Sequence, residues 1–228
     1  MAKRLELQKN VLSSNDQAAA QLRREFAARR LLVLNLMSSP GSGKTTLLEH
    51  TARVLAAEFK MAVIEGDLQT DRDADRVRRA GLPAVQINTG GGCHLDVPMV
   101  RRALDGLALG GLDILFIENV GNLVCPAAFD LGEDAVVLLA SVAEGDDKPG
   151  KYPTAFHRAD VVLLTKTDFL PVTEFQVSLF LADIAKLKAG LPVLPLSCRT
   201  GEGLDAWFAW LRRAVAAKRV ADASCSSW

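Results

Sequence analysis

The segment from Leu31 to Thr45 restricts the possible folds more than any other stretch of this chain. An apolar run, Leu31 to Met37, reads as a buried strand, and a helical pattern begins near Thr46. Between them lies Ser38-Ser39-Pro40-Gly41-Ser42-Gly43-Lys44-Thr45. A strand, a glycine-rich turn and Gly-Lys-Thr opening a helix form the pattern of a phosphate-binding loop. Small residues let successive backbone N–H groups curl around phosphate oxygens, and the helix N-terminus adds the positive end of its dipole. Gly41, Ser42, Gly43, Lys44, Thr45 and Thr46 are therefore the candidate nucleotide contacts. Lys44 is placed to reach the β- and γ-phosphates, and the Thr45 hydroxyl to ligate Mg2+. The general pattern has glycine where this chain has Ser38.

Beyond the loop, apolar runs alternate with helical patterns. The strand candidates are Leu31–Met37, Met61–Glu65, Ala84–Ile87, Asp113–Glu118, Ala135–Ala140, Asp160–Thr165 and Pro192–Leu196. Helical patterns cover Thr46–Glu58, Arg72–Ala80, Val97–Leu107, Val172–Lys188 and Leu204–Lys218. Strands apolar on both faces, alternating with helices, predict an α/β domain: a mostly parallel sheet with helices on both faces. The domain is expected over residues 31–218, after a helical extension over 1–30 and before a flexible tail over 219–228. Within the extension, Asp16 to Arg30 places Ala19, Leu22 and Phe26 on one face for packing on the domain, with Asn15 as N-cap. Ligands in such sheets bind at the carboxyl ends of the strands, so the loops that follow the strands carry the search.

Bulk properties exclude several classes. The 228 residues suit one large domain, and 27 basic against 27 acidic side chains give no electrostatic case for nucleic acid or anionic membrane. No apolar run reaches the roughly 18 residues of a membrane-spanning helix. The opening residues lack the apolar core of a secretory signal. Four cysteines, Cys93, Cys125, Cys198 and Cys225, show no disulfide-framework spacing, so a cytoplasmic protein with reduced thiols is expected.

After Met61–Glu65 comes Gly66-Asp67, with Asp71 and Asp73 further on. Asp67, ending a strand beside the phosphate loop, is a candidate for Mg2+ or for orienting water; Asp71 and Asp73 read as caps of the next helix. After Asp113–Glu118 comes Asn119-Val120-Gly121, resembling the D-x-x-G element of GTPases with Glu118 in place of Asp. Glu118 would meet the Mg2+ shell and the Gly121 N–H would sense the γ-phosphate. Thr165-Lys166-Thr167-Asp168 resembles N-K-x-D, in which the Asp carboxylate accepts from guanine N1–H and the 2-amino group. Ser197-Cys198 after the final strand resembles the element that backs the base. Lys166, Asp168, Ser197 and Cys198 thus favour GTP over ATP.

Gly90-Gly91-Gly92-Cys93-His94 and Cys125-Pro126 supply two thiols and an imidazole, a set suited to Ni2+ or Zn2+. Spacing alone leaves the alternative of buried, inert cysteines open. Three ligands leave a site to be completed by water or by a second subunit. His50 and His157 read as structural or surface residues.

Several strings together resemble the hydrogenase nickel-incorporation GTPase family, HypB, of the SIMIBI-class P-loop GTPases. They are Ser38–Thr45, Glu65-Gly66-Asp67 with Thr70–Asp73, Gln86–Gly90 with Cys93–Asp96, Glu118–Pro126 and Glu144–Pro149, within a resemblance running from about Val11 to Trp210. The resemblance implies a GTPase that dimerises with nucleotide and delivers nickel. Its implied partners are a small zinc-containing nickel chaperone and a NiFe-hydrogenase large-subunit precursor, with Cys93, His94 and Cys125 as metal ligands. The urease-type GTPase carries Cys-Pro-His together, whereas here Cys-His and Cys-Pro stand apart. Residues 1–30 contain neither Cys nor His, so no N-terminal nickel store is expected. No glutamine adjoins Gly121 to position water, which predicts slow, switch-like hydrolysis. The rivals are a urease-type nickel GTPase, a P-loop small-molecule kinase or ligase, and a metal scaffold whose nucleotide serves only dimerisation.

Overall fold

The computed structural model of the protein describes residues 2–67 and 72–223. In chain order the elements are α1 (Ala2–Ala28), β1 (Leu32–Ser38), α2 (Lys44–Leu55), β2 (Met61–Asp67), α3 (Arg72–Arg79), β3 (Ala84–Asn88), α4 (Val97–Leu104) and β4 (Ile114–Glu118). There follow β5 (Ala135–Ser141), α5 (Lys148–Lys151), α6 (Pro153–Arg158), β6 (Val161–Thr165), α7 (Val177–Leu187), β7 (Val193–Pro195) and α8 (Leu204–Ala223). All seven strands run parallel in one sheet of order β3-β2-β4-β1-β5-β6-β7.

The central strand β1 is buried along its whole length. Its alternating side chains feed both faces, as a strand period of two requires. Leu32, Leu34 and Leu36 pack with Leu47 and Leu48 of α2 and with Trp207 and Leu211 of α8. Val33 points to the opposite layer, where Ala19, Leu22 and Phe26 of α1 meet Val97 and Val100 of α4. A third cluster continues that layer, joining Met37, Val136 and Leu138 to Phe156 of α6 and Phe180 of α7. Trp207 is fully buried and its indole N–H donates to Thr51 Oγ1 at 2.9 Å, tying α8 to α2 without an orphaned donor. The parallel sheet covered on both faces is the expected one, and α1 packs on the domain as Ala19, Leu22 and Phe26 predicted.

Several elements differ from the sequence expectations. Asn15 lies inside α1 and does not cap that helix. Its buried amide donates to the Asp130 carbonyl at 2.7 Å and accepts from the Val97 N–H at 3.1 Å. The Ser13-Ser14-Asn15-Asp16 run resembles a helix start, but tertiary hydrogen bonds satisfy its polar group within the helix. The helix expected from Val172 starts at Val177, because residues 167–172, with Pro171 inside, form a 3-10 turn. Two short helices, α5 and α6, occupy a stretch in which no helix was expected. At the C-terminus α8 runs past Lys218 to Ala223, into the expected tail. Thr70, Asp71 and Cys225 lie outside the described residues. Asp73 sits within the first turn of α3 and pairs with Arg76 at 3.3 Å, a role different from the cap expected of it.

Candidate functional site

The parallel sheet brings the loops after β1, β2, β4, β6 and β7 to its carboxyl edge. Gly41 and Gly43 adopt φ of 75° and 100°, left-handed values that glycine takes without steric cost and that bend Ser38–Lys44 into the phosphate loop. Lys44 is buried and its Nζ donates to Ser38 Oγ at 2.9 Å, so Ser38 holds the lysine beneath the loop. Thr165 Oγ1 donates to the Ser42 carbonyl at 2.8 Å, and Ser42 Oγ donates to Glu144 Oε1 at 2.5 Å. The loop is therefore braced from β6 and from the turn after β5. Thr46 Oγ1 accepts from Arg76 at 3.0 Å, leaving its hydroxyl proton free to point elsewhere.

Thr45 and Glu118, predicted as Mg2+ ligands, do come together: the Thr45 hydroxyl donates to Glu118 Oε1 at 3.0 Å. Parallel pairing sets Glu65 opposite Glu118, a residue that motif reading did not select. Burial, then the adjacent Glu118 charge, pushes the Glu65 carboxyl up to about 12. Burial raises Glu118 as well, against the pull of Lys44. The two carboxyls share a hydrogen bond, with protonated Glu65 donating to Glu118, and one oxygen of each is buried with no other partner among the described residues. A divalent cation that displaced this proton would meet a hard-oxygen set of two carboxylates beside the Thr45 hydroxyl. Asp67 ends β2, where its backbone carbonyl accepts from the Thr89 N–H at 3.1 Å.

Gly121 lies directly against the phosphate loop. A Cβ built on it would stand 3.0 Å from Pro40 N, Cα and Cγ, so only a glycine fits without displacing that loop. The residues expected to read the base line a cleft of about 290 Å³ formed by Ser42, Gly43, Thr46, Lys166, Asp168, Cys198 and neighbours. Lys166 adopts φ 59°, turning the chain so that Asp168 faces Ser197. Ser197 Oγ donates to Asp168 Oδ1 at 2.5 Å and Arg199 Nε to Oδ2 at 2.6 Å. Those two bonds hold the Asp168 carboxyl below the usual carboxylate range. Burial pushes the Cys198 thiol up to about 11, leaving it a neutral wall of the cleft.

Cys93, His94 and Cys125 converge, with one ligand atom from each lying within 4.8 Å of the others. Cys93 Sγ is 3.7 Å from His94 Nδ1. The His94 ring stacks on Phe129 at 3.9 Å between centroids, which fixes its plane. Burial lowers the His94 imidazole, favouring the neutral form that binds metal. A hydrogen bond with Cys125, then burial, raises the Cys93 thiol. Cys93, Cys125 and Cys198 are free thiols. His50 is half-buried on α2 and His157 exposed, both away from this cluster.

The family described as CobW/HypB/UreG, nucleotide-binding domain, matches residues 32–195. The chain is 54 % identical over 211 residues to the hydrogenase maturation factor HypB of Azotobacter chroococcum, covering 92 % of this chain and 68 % of that protein. The chain belongs to the HypB family.

HypB of Escherichia coli K12 is 51 % identical, over 91 % of this chain and 71 % of that protein. The crystal structure of HypB from Helicobacter pylori in complex with nickel superposes with a TM-score of 0.85 at 46 % identity, covering 89 % of this chain and 95 % of that one. Within this HypB-family fold, motif reading missed Glu65, Asn119, Thr165 and Phe129. Glu65 and Asn119 stand within strings that carried the resemblance, but their partners are strand neighbours invisible in one-dimensional spacing. Thr165 departs from the usual asparagine and still anchors the phosphate loop, through the Ser42 carbonyl.

Proposed function

We propose that this chain is a GTP-binding, GTP-hydrolysing protein that carries Ni2+ as cargo during NiFe-hydrogenase maturation. Its nucleotide state sets both metal affinity and homodimerisation. One relationship carries the proposal: Gly121 abuts Pro40 of the phosphate loop, and Cys125 lies on the same connection with three residues between. A shift of Gly121 with the γ-phosphate would pull on one of three metal ligands. Differential metal affinity then requires a reciprocal effect of metal on nucleotide.

Each residue has a part in this scheme. Lys44 neutralises phosphate charge, the backbone of Gly41–Thr45 cradles it, and Asp168 with Ser197 reads guanine. Thr45 and Glu118 would hold Mg2+, which screens the phosphate charge, and Asp67 at the end of β2 would assist. Without a glutamine at position 122, water is poorly positioned and turnover is slow. Cys93, His94 and Cys125 bind Ni2+ or Zn2+ on a half-exposed surface, where a second copy or a small zinc-containing chaperone completes the coordination before transfer to the hydrogenase large-subunit precursor. Among the described residues no helix is long and apolar enough to cross a membrane. Free thiols in a metal site suit the reducing cytoplasm.

The test is nickel titration of the GDP-bound and GTP-analogue-bound protein. Different affinity or stoichiometry is expected; equal values in both states would end the coupling proposal. A urease client is the second reading, because relatives from Helicobacter pylori, 47 % identical, are hydrogenase/urease maturation factors. Complementation of strains lacking one or the other maturation activity separates the two clients.

A further inference from the structure

Asp168 has two partners of unlike kind. Ser197 is fully buried, and its hydroxyl also accepts from the Thr200 N–H at 3.2 Å, so it is a fixed part of the site. The Arg199 side chain is 70 % exposed and among the described residues bonds only to Asp168, whose own side chain is 5 % exposed beneath it. The lid over the carboxylate is thus a single, freely hydrated arginine. Asp168 and Arg199 line the cleft beside the phosphate loop.

The chemistry of that lid matters. Guanine presents N1–H and a 2-amino N–H on either side of one carbon, a planar pair of donors aimed at a carboxylate. A guanidinium carries similar planar N–H donors, of which Nε alone reaches Asp168 Oδ2 in this structure. We propose that Arg199 is an internal mimic of the guanine edge, competing with the base for Asp168 and so setting the rates at which guanine nucleotide enters and leaves. This inference rests on the assignment of Asp168 as the guanine acceptor. Entry of the base requires the guanidinium to leave Oδ2, while Ser197 keeps Oδ1. On departure of the nucleotide, Arg199 returns to the carboxylate and opposes rebinding.

The size of the effect follows from the exposure of the pair. Arg199 is largely exposed although Asp168 is not, so solvent screens the pair and removing the competitor is expected to tighten guanine nucleotide by about fivefold at most. Salt weakens such a pair, so the wild type should approach the variant as ionic strength rises. Adenine has no N1–H and does not contend for Asp168, so its binding should not change.

Stopped-flow binding of fluorescent GDP and ADP analogues to the full chain tests this with wild type, Arg199→Ala and Arg199→Lys. Arg199→Ala is expected to bind the GDP analogue faster and up to about fivefold tighter, with the gap closing at high salt. Arg199→Lys should fall between, and ADP should be indifferent to all three. Weaker or unchanged GDP binding by Arg199→Ala, with the wild type still preferring GDP over ADP, overturns the competition alone. No preference for GDP in the wild type overturns the guanine assignment and the competition with it.

Discussion

The Leu95 backbone N–H donates to Asn119 Oδ1 at 3.3 Å, so the residue after His94 hangs from the residue after Glu118. The same oxygen accepts from the Val120 N–H at 3.0 Å, and the Asn119 amide donates to Asn35 Oδ1 at 3.2 Å. A second link runs from the Asn122 amide to the Cys93 carbonyl at 3.3 Å. Asn119 is itself buried. One side chain therefore ties the metal loop, the loop beside the phosphates and the central strand together.

Replacing Asn119 with alanine leaves the Leu95 and Val120 donors and the Asn35 oxygen without this partner. Buried unsatisfied groups cost about 1–3 kcal/mol, which urea unfolding should register. Partners that orient metal ligands are commonly worth 10–100-fold in affinity, so nickel binding should weaken by about tenfold or more. Retained nickel affinity in a folded Asn119→Ala protein would show that the loop needs no such support.

Gly121→Ala tests the close approach to Pro40. The added methyl meets three Pro40 atoms at 3.0 Å and must displace the phosphate loop or its own. GTP-analogue affinity is expected to fall by about tenfold, on the scale of ~1–3 kcal/mol for overpacking. Metal affinity should shift as well, because Cys125 lies on the same connection and a displaced Gly121 reaches it through only three residues. Calorimetric titration with each ligand reads both numbers.

Metal uptake should release protons. Cys93 is raised above an ordinary thiol by its hydrogen bond with Cys125 and by burial, so a metal must displace its proton near neutral pH. His94 is lowered by burial and is already neutral there, contributing little. Nickel affinity is therefore expected to rise with pH across about 6 to 8, driven by thiol rather than imidazole deprotonation. Titrations in two buffers of different ionisation enthalpy measure the release; a heat independent of buffer would contradict it.

The docking of α1 carries a pH signature. Arg101 donates to Glu25 and holds its carboxyl below the usual carboxylate value of 4.5. The folded state thus favours the ionised form, so the contribution is present above that value and is lost as pH falls through the lower folded one. Both side chains are over a third exposed, at 37 % and 36 %, which limits the pair after solvent screening to under about 1 kcal/mol. Glu25→Gln should lower stability by that small amount at about pH 7 and by less at about pH 3. Denaturant midpoints of the two proteins at both pH values give the comparison.

Much of the molecule was legible before folding. Leu31–Met37 followed by Ser38–Thr45 names strand, loop and helix because burial, positive-φ glycines and phosphate binding each demand particular residue types at fixed spacing. Cys93-His94 and Cys125 were visible as soft ligands of the right kind. Asn15 was misjudged because its neighbours carry a cap signature, while its true partners, Asp130 and Val97, lie far along the chain. The helix expected from Val172 was begun too early, because Val172 closes a 3-10 turn and the α-helix starts only at Val177.

The division has one physical cause. Local sequence sets what depends on near neighbours: the phosphate loop, the alternation of buried strands and helices, and the chemistry of each candidate ligand. Tertiary structure decides what depends on register and long-range approach. Parallel pairing of β2 with β4 set Glu65 against Glu118, packing of two loops brought Cys125 to Cys93 and His94, and Gly121 was pressed against Pro40. None of those contacts has a period or a spacing in the chain, since each is fixed by a shared hydrophobic core that closes only when the whole sheet is assembled.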